Sequence, residues 1–234
     1  MAIGESELYF GPKILSQATQ DGPPLVASNL GDKAWAEITQ PYVLVDKSGL
    51  RILVASVIDP LLMASSTVHA HVSDPVSAIL EVQQQAQDHD LFVLVAHTTM
   101  ERAEEFALKA GGVDVLIQGA KLQAPVCRTM EAGDAGSTGL IVIANRSQGV
   151  TVSAVDLVKK DAGFVLQNQV MRTVSSQEPE DQITLGFMED YEKLARKESL
   201  RRPEDGYYVQ TNRDFDFMEY MREKYQGFGQ GDAN

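Results

Sequence analysis

Residues 91–119 read LFVLVAHTTMERAEEFALKAGGVDVLIQG, and this stretch decides the fold. Leu91–Ala96 is apolar at every position. Such a strand suits burial on both faces, as in an α/β core, rather than the one-sided burial of a solvated sheet. Thr99–Gly111 follows with helical character. It carries Glu101, Glu104 and Glu105 near its start, where the helix dipole favours negative charge, and a Gly111-Gly112 stop. Val113–Ile117 is the next strand. The unit is strand–helix–strand, and if its strands are parallel neighbours the crossover between them is right-handed.

The same alternation extends upstream. Pro24–Ser28 is a short apolar strand after a Gly-Pro turn. Tyr42–Asp46 and Arg51–Val57 flank Lys47-Ser48-Gly49-Leu50, a hairpin signature. Asp74-Pro75 opens a helix to about Asp88, with a cap residue followed by proline at the first helical position. Downstream the chain turns more β-like, with strands expected at Leu140–Asn145, Val150–Val158 and Phe164–Val174. Cys127 reads as a buried strand residue, and Glu131–Gly139 as a small-residue loop. From Ser175 the character changes. Gln182–Arg201 has helical spacing through Ile183, Phe187, Tyr191 and Leu194, and Arg202-Pro203 ends it. The remaining tail is polar and rich in aromatics, with a short helix expected around Phe215–Tyr225 and disorder over Gly227–Asn234.

Composition narrows the function classes. The 234 residues carry 33 acidic and 20 basic side chains, a net charge of −13, which argues against nucleic acid or an anionic membrane as the main partner. No apolar run approaches the roughly 20 residues that span a bilayer, so no membrane insertion is expected. With Cys127 alone, neither an internal disulfide nor a cysteine-based zinc site can form within the chain. Met1-Ala2-Ile3-Gly4-Glu5 has neither the basic nor the apolar region of a signal peptide.

Four histidines are candidates for chemistry. His69 and His71 would share a face if they lay on a strand and could bind metal, although a surface loop is the plainer reading. His89, in Asp88-His89-Asp90, reads as a solvated turn. His97 stands at the carboxyl end of the apolar strand, where ligands gather in open α/β folds. Asn29 and Asp32 follow the first strand in the same way, so an oxygen and nitrogen metal site could draw on all three. The Gly-bearing loop at Glu131–Gly139 matches neither a P-loop nor a dinucleotide fingerprint.

Taken together, these segments resemble the calcineurin-like metallophosphoesterases, and within them the catalytic domain of bacterial 5′-nucleotidases. Gly4-Glu5-Ser6-Glu7-Leu8-Tyr9-Phe10-Gly11 is similar to that family's Gly-Asn-His-Glu-Phe-Asp-x-Gly. Pro24–Asn29 resembles its "P-hydrophobic-x-x-A-N" strand, and Pro41–Val45 with Arg51–Pro60 its hairpin. Val93–His97 resembles its "V-x-L-S-H", and Gly112–Gly119 its "G-V-D-V-I-I-G-G-H-x-H". Gly139–Leu157 and Pro179–Tyr191 fit its closing strands and terminal helix. The resemblance implies an α/β fold, a metallophosphatase-like αββα sandwich of mixed sheets lacking its first strands. It implies a domain over residues 1–195; outside the resemblance, a C-terminal helical extension, partly flexible, is expected over 196–234.

In that family a two-metal centre hydrolyses phosphate esters, holding a bridging hydroxide and clamping phosphate oxygens. This sequence departs at most of the positions concerned. The motif's asparagine is Glu5 and its histidine is Ser6, while the Gly-His-x-His segment is Gly119-Ala120-Lys121-Leu122. His97 alone stands at a family ligand position. Glu5 could still bind a cation, Asn29 could line the site, and Lys121 could hold an anion where the cations were. The family's Asp-x-His and Gly-Asp motifs would lie upstream of Gly4. Either the domain is degenerate, or Met1 is an internal start; a longer N-terminus would not restore the histidines missing at Ser6, Ala120 and Leu122.

The expectation is a catalytically inactive binding or assembly module without a cofactor. Self-association, a partner chain or the chain's own C-terminal tail would cover the open sheet edge left by the absent first strands. The alternative is an active phosphoesterase acting on nucleotides or similar monoesters. It would use a divalent metal (manganese, zinc, magnesium or calcium) at a relocated site drawing on Glu5, Asn29, His69, His71 and His97. The family is mostly periplasmic or extracellular, and the sequence leaves the compartment open.

Overall fold

The computed structural model describes residues 1–18, 22–64, 70–119, 125–130, 139–145, 151–161 and 163–173. All of them belong to one compact unit, Met1–Thr173. The helix and tail expected beyond Ser175, the boundary at residue 195, and most of the loop at Glu131–Gly139 lie outside the described residues.

The elements run α1 (Glu5–Leu8), α2 (Gly11–Ala18), β1 (Leu25–Val26), α3 (Lys33–Ala36), β2 (Thr39–Gln40), β3 (Tyr42–Lys47), β4 (Leu50–Ile58) and α4 (Pro60–Ala64). Then come α5 (Pro75–Gln85), β5 (Leu91–His97), α6 (Met100–Ala110), β6 (Val115–Gln118), β7 (Val126–Met130), β8 (Leu140–Ala144), β9 (Thr151–Lys160) and β10 (Gly163–Thr173). Six strands form one mixed sheet in the order β3-β4-β5-β6-β8-β7. The inner four are parallel, and the two edge strands, β3 and β7, are antiparallel to their neighbours. β9 and β10 pair as a separate antiparallel hairpin, and β1 pairs β2 in a short parallel ribbon.

The strand–helix–strand unit read from residues 91–119 is therefore β5–α6–β6, with β5 and β6 parallel neighbours. Strand alternation divides β5 between two cores. Phe92, Leu94 and Ala96 face α5 and α6, where Ile79, Val82, Ala103 and Phe106 close over them. Leu91 and Val93 face the other way, against Phe164, Val155 and Leu157 of the hairpin. A third cluster of Ile3, Leu8, Leu25, Trp35 and Ile58 gathers the N-terminal segment at the end of the sheet.

Local chemistry accounts for the boundaries. The β3–β4 turn places Ser48 and Gly49 at positive φ, +53° and +81°. Two positive central residues are what a two-residue hairpin needs to match strand twist. Asp74 caps α5 by accepting the Ser77 N–H at 2.8 Å, with Pro75 as the first helical residue. That helix ends at Gln85, short of the expected Asp88. Gly111 at φ +69° ends α6. Cys127 lies on a strand as expected but is half-buried, because β7 is an edge strand. His89 is half-buried rather than solvated: its Nδ1 lies 2.6 Å from the Ala86 carbonyl oxygen and its ring packs edge-on against Phe92.

Phe92 is fully buried in the helix-side core. Phe92→Ala is expected to lower stability by about 3–5 kcal/mol, from lost transfer energy plus a cavity. Urea unfolding of the two proteins measures it, and a loss below about 1 kcal/mol would show that the core collapses into the space.

Candidate functional site

Three segments remote in sequence meet at the carboxyl end of β5. Alternation puts the His97 side chain on the sheet face away from α5 and α6, alongside Ile58, its partner in the β4–β5 register. β6 ends at Gln118, and the Gly119 N–H donates to the Ala96 carbonyl at 2.9 Å, which holds Gly119 beside His97. The N-terminal segment arrives from the third side. The Ile3 N–H donates to the Val26 carbonyl at 3.0 Å, and the Val26 N–H to the Met1 carbonyl at 2.8 Å. This brings Gly4 against the ring. A Cβ built on Gly4 would lie 2.5 Å from His97 Nδ1, and one on Gly119 2.7 Å from Cε1. Positions 4, 97 and 119, which the resemblance aligned with three separate motifs, thus meet at one imidazole.

The His97 ring donates to the backbone of Gly119, while Nε2 is buried without a hydrogen-bond partner. Nδ1 is therefore the donor, and Nε2 carries the lone pair. Burial holds the imidazole's pKa below its ordinary value of 6.5. The negative charge of Glu7 and the Gly119 hydrogen bond oppose this without reversing it. The ring is neutral near pH 7. Glu7 itself turns back to accept the Gly4 N–H at 2.8 Å, closing the first turn of α1.

The other candidates are placed differently. Glu5 opens α1 immediately after Gly4 and is half-buried. Asn29 is buried and fully engaged: its amide donates to the carbonyls of Ile58 (2.8 Å) and Ser73 (3.0 Å), and its Oδ1 accepts the Ile58 N–H (3.0 Å). It clamps the segment at Ser73 to the end of β4. Asp32 accepts the backbone N–H of His71 at 2.6 Å, and His71 is exposed. His69, Ala120, Lys121 and Leu122, and the side chain of Ser6, lie outside the described residues. Among the described residues no three of His, Cys, Asp and Glu gather closely enough to hold a metal ion. A binuclear centre needs several oxygen and nitrogen ligands, and among the described residues the buried nitrogen without a partner is His97 Nε2 alone. They do not fit such a centre.

Sequence reasoning missed a polar cluster on the opposite face of the same strand ends. Asp59, 1% exposed, accepts from Thr98 Oγ1 (2.6 Å), from the Leu61 N–H (3.0 Å) and from both Nη2 (3.1 Å) and Nε of Arg102. Its own N–H donates to the His97 carbonyl at 3.1 Å. Gln118 Nε2 donates to the Thr98 carbonyl at 2.7 Å. The signal was present as a lone acid, Asp59-Pro60, closing an apolar strand. Burial alone would raise the Asp59 pKa, but hydrogen bonds from Arg102 and Thr98 outweigh it and hold the pKa below its ordinary 3.8.

No family model matches the chain, and no curated protein matches it. Solved structures do. The 5′-nucleotidase precursor from Thermus thermophilus superposes with a TM-score of 0.71 at 16% identity, over 84% of this chain and 43% of its own. The chain has the fold of the 5′-nucleotidase-type metallophosphoesterases. The sulfate thiohydrolase SoxB from Thermus thermophilus (TM-score 0.60, 14% identity, 86% of this chain and 38% of that one) is also similar. So is the NAD nucleotidase of Haemophilus influenzae (0.56, 13%, 74% and 39%). The chain spans less than half the length of each of these three. The expected fold class holds, with a central mixed sheet flanked by helices on one face and the β9–β10 hairpin on the other.

The Asp59–Arg102 pair generates a pH prediction. Arg102→Met leaves a buried carboxylate without its cation. Because the guanidinium is about one-third exposed, the loss at pH 7 is expected near 2–3 kcal/mol, below that of a fully buried pair. In the wild type, Asp59's contribution is complete above its ordinary pKa and is lost as pH falls through the depressed folded value. In the variant the unpaired Asp59 pKa rises, so protonation relieves the penalty. The stability gap measured by urea unfolding should narrow between about pH 7 and pH 5, and a constant gap would contradict it.

Proposed function

We propose that this phosphoesterase-like domain serves as a binding or assembly module rather than as a hydrolase, and that it needs no resident metal. The observation that supports this most is how the polar groups around the strand ends are committed. Asn29 is engaged by Ile58 and Ser73, Asp32 by the His71 backbone, and Asp59 by Arg102 and Thr98, which leaves His97 Nε2 as the buried nitrogen without a partner among the described residues. A carboxylate already neutralised by a guanidinium, and an amide already spent on backbone, are poor ligands for a second or third coordination position. The module's partner is a second copy or another chain. The β9–β10 hairpin supports this, since neither of its outer edges is paired with another strand among the described residues. Unpaired edges are templates for strand addition.

One observation favours a second reading, an active metal-dependent phosphoesterase acting on nucleotides or similar monoesters. The His97 tautomer, with Nδ1 donating to a backbone carbonyl and Nε2 free, is the arrangement that orients metal-ligating imidazoles. In that reading Glu5 and His97 would contribute ligands, and the metal would supply Lewis acidity and an activated water.

Metal content decides between them. The full chain is incubated with manganese and zinc, passed through gel filtration and analysed for metal, then assayed on an aryl phosphate. Retention well below one ion per chain is expected, with no metal-dependent hydrolysis and no effect of His97→Ala on the background. Retention near two ions per chain, with hydrolysis abolished by His97→Ala, would overturn the module reading. Gel filtration also reads association: elution above the monomer is expected, while a monomer over a wide concentration range would remove the second copy as the partner.

A further inference from the structure

We infer that His97 works as a packing wedge, its imidazole clamped between the backbones of Gly4 and Gly119, and that this clamp fastens Met1–Leu8 to the ends of β5 and β6. The inference stands apart from the module reading, because the ring meets Gly4 and Gly119 whether or not a metal takes Nε2.

Two glycines make the case. Glycine is usually required by a left-handed backbone or by close approach of another group. In this chain Gly49 and Gly111 belong to the first kind: both have positive φ, and a Cβ on either would meet nothing within 4 Å. Gly4 and Gly119 belong to the second kind. Gly4 has φ −119° and ψ −173°, which any residue adopts, and Gly119 is not among the residues at positive φ. A side chain is excluded at these two positions by one object. A Cβ on Gly4 would stand 2.5 Å from His97 Nδ1 and 2.6 Å from Cε1. A Cβ on Gly119 would stand 2.7 Å from Cε1, 2.8 Å from Nδ1 and 3.2 Å from Nε2. The same ring thus accounts for two glycines separated by more than a hundred positions.

The clamp joins three segments by three kinds of link. His97 is covalently part of β5, it hydrogen-bonds the Gly119 backbone after β6, and it is in van der Waals contact with Gly4. What hangs from Gly4 is substantial. Ile3 and Leu8, 0% and 2% exposed, anchor the N-terminal cluster, and the Ile3 and Val26 amides carry the hydrogen bonds that dock the segment. The ring cannot move without loosening them, because a close-packed contact lacks space to relax into.

The test is a suppression cycle on the full chain with Gly4→Ala, His97→Ala and the double variant, read by thermal melts, together with amide exchange in His97→Ala. Gly4→Ala should lower Tm by about 5–10 °C, as overpacking does. The double variant should melt at or above His97→Ala alone, because the new methyl enters the space the ring has left. Exchange at the Ile3 and Val26 amides should quicken at least about tenfold in His97→Ala, with Leu94 and Leu116 unchanged. Should Gly4→Ala not fold, the exchange result decides by itself. Additive losses in the double variant, or unchanged exchange at Ile3 and Val26, would overturn the wedge. Zinc or manganese raising the wild-type Tm through His97 while the suppression persists would sink the module reading and leave the wedge standing. Additive losses without metal uptake would sink the wedge alone.

Discussion

Burial of β5 on both faces is the constraint on which the rest depends. A strand with apolar side chains on both sides must have layers on both sides, and a parallel neighbour demands a crossover, so α6 and the helix-side core follow from it. The hairpin on the opposite face is the second layer. The same alternation that sends Phe92, Leu94 and Ala96 toward the helices sends Leu91 and Val93 toward the hairpin, and it leaves His97 facing away from the helices at the strand's end. The imidazole's position is thus a consequence of strand parity. Moving the β5 register by one residue would exchange the two cores and turn the histidine toward α6.

The ends of β4, β5 and β6 concentrate the polar groups of the core because strands stop there and peptide groups lose ladder partners. Two solutions coexist across one sheet. On the helix side a charged pair with full hydrogen bonding, Asp59 with Arg102, is backed by Thr98 and Gln118. On the other side a neutral ring is surrounded by glycine backbone. The two are linked through the main chain, since the Asp59 N–H holds the His97 carbonyl.

Much of this was legible from residues alone. The apolar run at β5, the Asp74-Pro75 start of α5, the Ser48-Gly49 turn and the glycine stop of α6 each carry their reason in the local sequence, and each is found close to where it was read. The convergence of Gly4, His97 and Gly119 was legible only through resemblance, since no local rule links positions so far apart. The short elements α1, α3, β2 and α4 were not read, nor was α2. The first four contain four residues, four, two and five, too few for periodicity to register, and α2 is barely two turns long. The engagement of Asn29 was also out of reach, because whether an amide is free depends on which carbonyls the fold brings to it. Asp32 was read as a site residue for the same cause.

The bulge in the β9–β10 hairpin has a mechanical meaning. Pairing runs from Leu166 opposite Leu157 straight to Asn168 opposite Asp156, so Gln167 is the extra residue. On the turn side of that point the ribbon is bedded on the sheet through Phe164, Leu166 and Leu157, and beyond it β9 stays bedded through Val155. The Lys159 ammonium adds a 2.6 Å tie to Asp90. On the far side, every residue from Gln167 to Thr173 is exposed, and Val152 opposite them is 56% exposed. A bulge increases twist and bends a strand. β10 therefore turns its far half to solvent while β9 stays bedded, held at Val155 and by the Ser153 hydroxyl donating to Asn145 Oδ1. The ribbon is thus anchored asymmetrically: one strand is tied to the core along its length, and the other lies open beyond the bulge, where Val170 and Met171 are exposed.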